Sequence, residues 1–418
     1  MRTPRGDDES RPPMRPDPPA RRRFLAAAGR ALLGSLLVRA APAVTTSESN
    51  AGVTLFLCGD VMTGRGIDQV LPHPGNPRLY EPYVRSALGY VELAEAATGP
   101  IQRPVDFSYP WGDALPELDR RRPAARIVNL ETAVTTSESE WRGKGIHYRM
   151  HPANAPCLSA ARIDCCSLAN NHVLDWGVAG LKETLAVLHQ AGIQTAGAGR
   201  NLAEAAAPAV FDLPSGGRLL VFAFGAGSAG VSPAWAATVD RPGVNVLDDF
   251  SPRAVRNIGR QIAGVKRGGD MVVASIHWGD NWGYEVPREQ IEFAHGLIDA
   301  AGVDVVHGHS SHHPKAIEVH RDKLILYGCG DFINDYEGIG GHESYRADLT
   351  LMYFPTLDST TGRLRQLSLT PMRIRHFRAN RASVGDVRWL EAMLNREGRR
   401  FGSRFGAAPD GALAATWS

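Results

Sequence analysis

The sequence predicts an α/β fold, with two facing mixed β-sheets flanked by helices. Three observations carry the prediction. Short apolar strand-like runs alternate with helix-like segments through most of the chain. From Ala316 onward the pattern changes to antiparallel strands, so the sheets must be mixed. Five of the strands end in a side chain able to bind a metal, and strand tips are where open α/β sheets place their ligands.

Residues 1–43 read as a targeting segment. They carry a formal charge of +5, against −3 for the remainder. Arg21-Arg22-Arg23-Phe24-Leu25 is a twin-arginine pattern, followed by the apolar run Ala26–Val38 and a small-residue cleavage site at Ala41-Pro42-Ala43. The expectation is Tat-type export, giving a secreted or membrane-associated extracytoplasmic protein. The near-neutral body carries no basic stripe, which argues against a nucleic-acid binder. Five cysteines without a C-x-x-C pair read as inert core thiols.

A linker, residues 44–52, leads into a main domain over 53–380. Val53–Cys58 is a buried-type strand ending at Gly59-Asp60. Leu71–Pro110 is long and irregular, with one helix near Tyr83–Ala97, and reads as a functional insertion. Trp111–Arg122 is helical, and Ala125–Leu130 is a strand closed by Glu131. Thr132–Met150 is a polar loop. Ala153–Ala161 is helical, and Asp164–Ala169 is a strand ending at Asn170-Asn171-His172. Gly180–Ala191 is an amphipathic helix with Leu181, Leu185 and Leu188 on one face. Strands at Gln194–Ala198 and Leu219–Phe224 precede a helix at Arg253–Lys266. Met271–Ile276 is a strand ending at His277. The helix Glu289–Ala300 then leads into strand Val303–Val306. Ala316–His320 and Lys323–Tyr327 form a hairpin around Arg321-Asp322, and Leu349–Phe354 and Leu364–Phe377 add antiparallel strands. Residues 381–418 are a terminal helix, Val384–Arg400, and a small-residue tail.

The strand Val303–Val306 opens onto His307, His309, His312 and His313, four histidines within seven positions. With Asp60, Glu131, Asn171, His172 and His277 at the other tips, the chain offers carboxylates, an amide and imidazoles to one face. That donor set suits one or two divalent ions, Mn, Fe or Zn. Each residue alone has a plainer reading: Asp60 as an N-cap, Asn171 as a turn residue, His172 as a partner of Asp175, Arg65 as a solvated charge. Their common placement at strand ends favours a joint site.

The motifs GDVMTGR (Gly59–Arg65), NLE (Asn129–Glu131), ANNH (Ala169–His172), HWG (His277–Gly279) and GCGDFI (Gly328–Ile333) resemble the CapA family of capsule-synthesis proteins. That family is named for poly-γ-glutamate capsules and is similar in fold to calcineurin-like metallophosphoesterases. The resemblance spans Val53 to Arg378. It implies metal ligands at Asp60, Glu131, Asn171, His277, His309 and His312. It implies His172 as acid/base, oriented by Asp175. Met62 stands where the phosphoesterases' D-x-H histidine would be. His307 is additional to their G-H-x-H motif and is assigned as a ligand, a base or a supporting group. Arg65 is expected to bind an anionic group.

The resemblance implies a metal-dependent cell-envelope enzyme, a hydrolase acting on a phosphoryl or γ-glutamyl acyl centre of an anionic polymer or peptide. Association with capsule-synthesis membrane proteins is a further expectation. Two alternatives stand beside it. One is a metal-assisted peptide epimerase using His307 and His313 as additional bases. The other is a non-catalytic polymer-binding or export-assembly protein.

Overall fold

A computed structural model describes residues 52–418. The expected targeting segment and nearly all of the linker lie outside them. In chain order the principal strands are β1 (Gly52–Val61), β2 (Ala125–Leu130), β3 (Cys165–Ser167), β4 (Gln194–Ala196), β5 (Ala209–Asp212), β6 (Arg218–Ala226), β7 (Val246–Leu247), β8 (Met271–His277) and β9 (Val305–His309). The hairpin β10 (Ile317–His320) and β11 (Lys323–Leu326) follows, then β12 (Asp331–Ile333), β13 (Leu349–Asp358), β14 (Leu364–Arg375), β15 (Arg378–Arg381), β16 (Ser403–Ala407) and β17 (Leu413–Trp417). The longer helices are α1 (Leu88–Thr98), α2 (Ala114–Arg121), α3 (Gly177–Gln190), α4 (Pro252–Ala263), α5 (Arg288–Ala301) and α6 (Val384–Gly398).

These strands form two mixed sheets, as expected. The larger runs β16-β17-β14-β13-β1-β2-β3-β4, with β12 paired to β1 and β15 to β14. The smaller runs β7-β6-β8-β9-β11-β10, with β5 on β6. Pleating explains how the smaller sheet is buried on both faces. Leu219, Val221 and Ala223 of β6 enter the apolar cluster shared with the larger sheet. Their neighbours Leu220, Phe222 and Phe224 pack instead with Val255, Ile258 and Ile262 of α4 and Phe293 and Leu297 of α5. Such strands read as continuous apolar runs for this reason.

Local chemistry sets the element ends. Ser251 caps α4 by accepting from Ala254 N, and Ser383 with Asp386 forms a capping box on α6. Arg321 and Asp322 both take positive φ, the backbone a two-residue hairpin turn requires. All five cysteines are free and buried.

Three expectations need correction. The run Leu364–Phe377 is not one strand: His376 and Phe377 turn with positive φ and return as β15. The loop Thr132–Met150 contains a short parallel pairing of Ala133–Val134 with Arg149–Met150. The C-terminal tail is a β16–β17 hairpin whose Leu413 and Ala414 pair with β14, so it extends the larger sheet. Among the described residues, no helix is long and apolar enough to cross a membrane.

Candidate metal centre

The parallel strands at the centre of both sheets deliver their tips to one place. Asp60 lies near the end of β1, and Glu131 follows β2. His277 and His309 close β8 and β9, where their Cα atoms are in register. An amide ladder fixes the first of these. Asp60 Oδ1 accepts from Asn129 Nδ2 at 2.8 Å, and Asn129 Oδ1 accepts from Asn170 Nδ2 at 3.1 Å. The other oxygen, Asp60 Oδ2, accepts from Ser310 N of the loop after β9 at 3.1 Å. Asn170 Oδ1 also accepts the N–H groups of His172 and Val173, an Asx-type turn that orients His172.

Two groups of ligand atoms converge, each within 4.8 Å, and Asp60 belongs to both. The first is Asp60, His277 and His309. Here the two Nδ1 atoms lie 2.9 Å apart and His309 Nδ1 is 3.9 Å from Asp60 Oδ1. Asn171 Oδ1 sits 3.1 Å from His277 Nε2, placed to accept its proton. The second group is Asp60, His312 and Asp331, with His312 Nδ1 2.9 Å from Asp331 Oδ1. Glu131 adjoins both histidine systems, with Oε1 3.8 Å from His277 Nε2 and 3.7 Å from His172 Nε2.

The electrostatics fit a cation. Burial and then Asp331 push the Asp60 carboxyl up to about 7. Burial and then Asp60 raise Glu131 well above the usual carboxylate range. Burial drives His277 and His309 well below the ordinary histidine value, leaving them neutral with lone pairs to offer. Burial also opposes a charge on His312, but Asp331 outweighs it and the imidazole pKa rises. Crowded acids beside neutral imidazoles form a donor set for divalent Mn, Fe or Zn.

Beside this centre His172 forms a separate unit. Its Nδ1 is 2.6 Å from Asp175 Oδ2, a contact that makes Nδ1 the donor and leaves the Nε2 lone pair directed at Glu131. Burial lowers the His172 pKa to about 4, overcoming Asp175. Lys144 Nζ completes the unit, 2.9 Å from His172 Nδ1 and 2.5 Å from Asp175 Oδ1. The sequence reading missed Lys144, which lies in a polar loop without local signal. It also missed Asp331 as a member of a ligand group, although Gly330-Asp331 repeats the Gly59-Asp60 pattern.

Other expected site residues take different positions. The guanidinium of Arg65 is buried and turned to Asp335 and Glu81, stacked between Tyr90 and Tyr148. Its Nε, Nη1 and Nη2 each bond a carboxylate, which makes it a structural clamp and not a free anion binder. His307 is fully buried and donates from Nε2 to Cys58 O at 2.7 Å, so it is neither a ligand nor a surface base. His313 is buried against Tyr284 and Tyr345, its Nδ1 bonded to Pro314 O. Met62 is buried, with the Tyr336 hydroxyl on its sulfur.

A family model for the bacterial capsule synthesis protein PGA_cap matches residues 54–336. The chain belongs to the bacterial capsule synthesis protein family. It is similar to a probable polyglutamine synthesis accessory protein of Mycobacterium tuberculosis, 48% identical over 86% of this chain and 95% of that protein. The PGA biosynthesis protein CapA of Bacillus subtilis is 27% identical over 70% of this chain and 66% of its own length. The capsule biosynthesis protein CapA of Bacillus anthracis is 24% identical over 69% and 61% respectively. The mixed α/β fold agrees with that membership, and the expected resemblance is borne out.

Within this capsule-family fold a cavity of about 560 Å³ is lined by two rings that pack on His312 and by none of the ligand residues themselves. Trp282 and Tyr336 form its near wall, their rings 5.3 and 5.1 Å from that of His312. Arg346, Arg373 and Arg375 also line it; Arg346 and Arg373 are paired with Asp348 and Asp386, and Arg375 is exposed. A third histidine–carboxylate group, His295, Glu318 and His320, joins α5 to β10. Its two rings stack face to face, 3.9 Å apart and 5° from parallel, so their in-plane lone pairs do not converge on one ion.

Proposed function

We propose that this protein is a metal-dependent hydrolase acting on an acyl or phosphoryl centre of an anionic polymer in capsule metabolism. The observation that carries the reading is the sharing of Asp60 by two convergent ligand groups beside a histidine with its Nε2 lone pair free. Asp60, His277 and His309, with Glu131 and Asn171 adjoining, would hold one ion. Asp60, Asp331 and His312 would hold a second. Bound there, divalent ions polarise an ester or amide oxygen and lower the pKa of a water.

The chain's own residues supply the proton handling. Asp175 holds the His172 ring by its Nδ1–H. Neutral His172 can then take a proton at Nε2 from an attacking water, or return one to the leaving group. Burial keeps the ring neutral near pH 7, and the Lys144 charge adds to it by opposing a second charge on His172. Of the arginines of the adjoining cavity, Arg346 and Arg373 are paired with Asp348 and Asp386, and the exposed Arg375 is the one that suits a carboxylate or phosphate of an extended anionic chain.

The relatives named for polyglutamine synthesis and PGA biosynthesis support a polymer of glutamine or glutamate type as the substrate. Epimerisation has lost its expected additional bases, since His307 is buried and held by Cys58 O and Ser275 Oγ, and His313 is buried against Tyr284 and Tyr345. We further propose that residues 1–43 direct export, which would put the site where capsular polymer is handled.

The test combines metal quantification with assays on phosphodiesters, γ-glutamyl amides and peptides. Wild type should carry at least about one equivalent of metal and hydrolyse one class; His277→Ala should lose both. Trace metal in the wild type, or full activity in His277→Ala, defeats the reading.

A further inference from the structure

We propose that His307 and Ser275 are positioning residues that fix the tautomer of His309, so that its Nδ1 lone pair faces the metal centre. The inference rests on the metal reading of that centre, but concerns a buried hydrogen-bond chain that no resemblance assigns.

The chain begins at an irregularity in β1. Between Leu57 and Asp60, three steps along β1 match two along β2, from Ile127 to Asn129. Such a bulge leaves backbone groups outside the ladder. At this bulge the Cys58 carbonyl meets His307 Nε2 of the opposite sheet at 2.7 Å. A buried carbonyl left unpaired would be costly, so this contact has a structural purpose of its own. It also has a direction.

A carbonyl can only accept, so His307 Nε2 carries the proton. In a neutral ring its Nδ1 is then an acceptor, and Ser275 Oγ lies 3.2 Å from it. Ser275 has one proton and gives it to His307. Its oxygen must then accept from its other neighbour, His309 Nε2, at 2.9 Å. His309 is therefore protonated at Nε2 and bare at Nδ1. That bare nitrogen lies 2.9 Å from His277 Nδ1 and 3.9 Å from Asp60 Oδ1. Ser275, His307 and His309 are fully buried and each step is a direct contact, so the polarity is passed on from ring to ring. One backbone carbonyl in the larger sheet thus determines which nitrogen of His309, in the smaller sheet, is presented to an ion.

Two measurements on the full chain test this. In metal-free protein, imidazole ¹⁵N NMR should find His309 protonated at Nε2 and unprotonated at Nδ1. Competition titrations with Mn²⁺ and Zn²⁺ should find Ser275→Ala and His307→Leu weaker by roughly 10- to 100-fold, the range for lost support of a ligand. Ser275→Thr keeps the hydroxyl. His307→Gln keeps a donor for Cys58 and an acceptor for Ser275. Both should restore affinity, which a merely space-filling role would not predict. Should His307→Leu fail to fold, Ser275→Ala removes a single oxygen and carries the comparison. A proton on His309 Nδ1, or wild-type affinity in Ser275→Ala, overturns the proposal. If wild type binds neither metal, the metal reading fails, while the NMR result still decides the hydrogen-bond chain.

Discussion

Asp60 and Asp331 stand side by side at neighbouring strand tips, their Cα atoms in register across the parallel β1–β12 pair. Two buried acids placed this way repel, and Asp331 is the largest charge effect on Asp60. This pairing supplies a carboxylate to the second ligand group, where Met62 offers no imidazole.

Asp331→Asn should therefore weaken that group selectively. Metal titration should show one class of site losing roughly 10- to 100-fold in affinity while the class containing His277 persists. Equal loss from both classes would mean a single shared ion.

Lys144 sits against His172, and its charge helps hold the imidazole pKa near 4. Lys144→Met should raise that pKa, on the order of one unit. An NMR titration of His172 reads the shift directly. If His172 is the acid/base, the acidic limb of kcat/KM moves to higher pH with it. An unmoved titration would show that Lys144 acts only on Asp175.

Acid stability follows from burial. His172, His307 and His313 each have pKa values lowered from 6.5 to about 4, chiefly by desolvation. Between those values the unfolded chain binds protons that the folded chain does not. The stability present above pH 6.5 is therefore lost as pH falls toward 4. Asp60, raised from 3.8 to about 7, acts oppositely: its folded form gains stability as pH falls through that window. A bound ion keeps Asp60 ionised and removes the opposing effect. Melting curves from pH 7.5 to 4.5 should thus fall more steeply for metal-loaded than for metal-free protein, over about that range. Parallel curves would count against Asp60 as a ligand.

Arg65→Met leaves Glu81 and Asp335 buried without their cation. Denaturant unfolding should show a loss of about 3–5 kcal/mol. Metal content of the folded fraction should stay at the wild-type level, because Arg65 belongs to neither ligand group. Metal loss without destabilisation would restore Arg65 to the site.

The strand-tip residues of the candidate centre were legible because each closes an apolar run with a charged or imidazole side chain. Asp331 was not, because its strand is three residues long and pairs with β1 from far along the chain. Arg65 looked like a free charge because its partners lie in an irregular segment and a distant loop. The hairpin of β16 and β17 was missed for a different reason. SRFGA and LAATW carry small residues where alternation would show, and the pairing of β17 with β14 supplies the missing stability.

The first ligand group draws Asp60 from the larger sheet and His277 and His309 from the smaller. Neither sheet alone contains it. An ion held there would act as a clasp, and its capture would mark the moment when the two halves have closed. Occupancy would then report the completeness of folding: a chain with one layer misdocked would emerge empty, and a filled centre would certify a finished molecule.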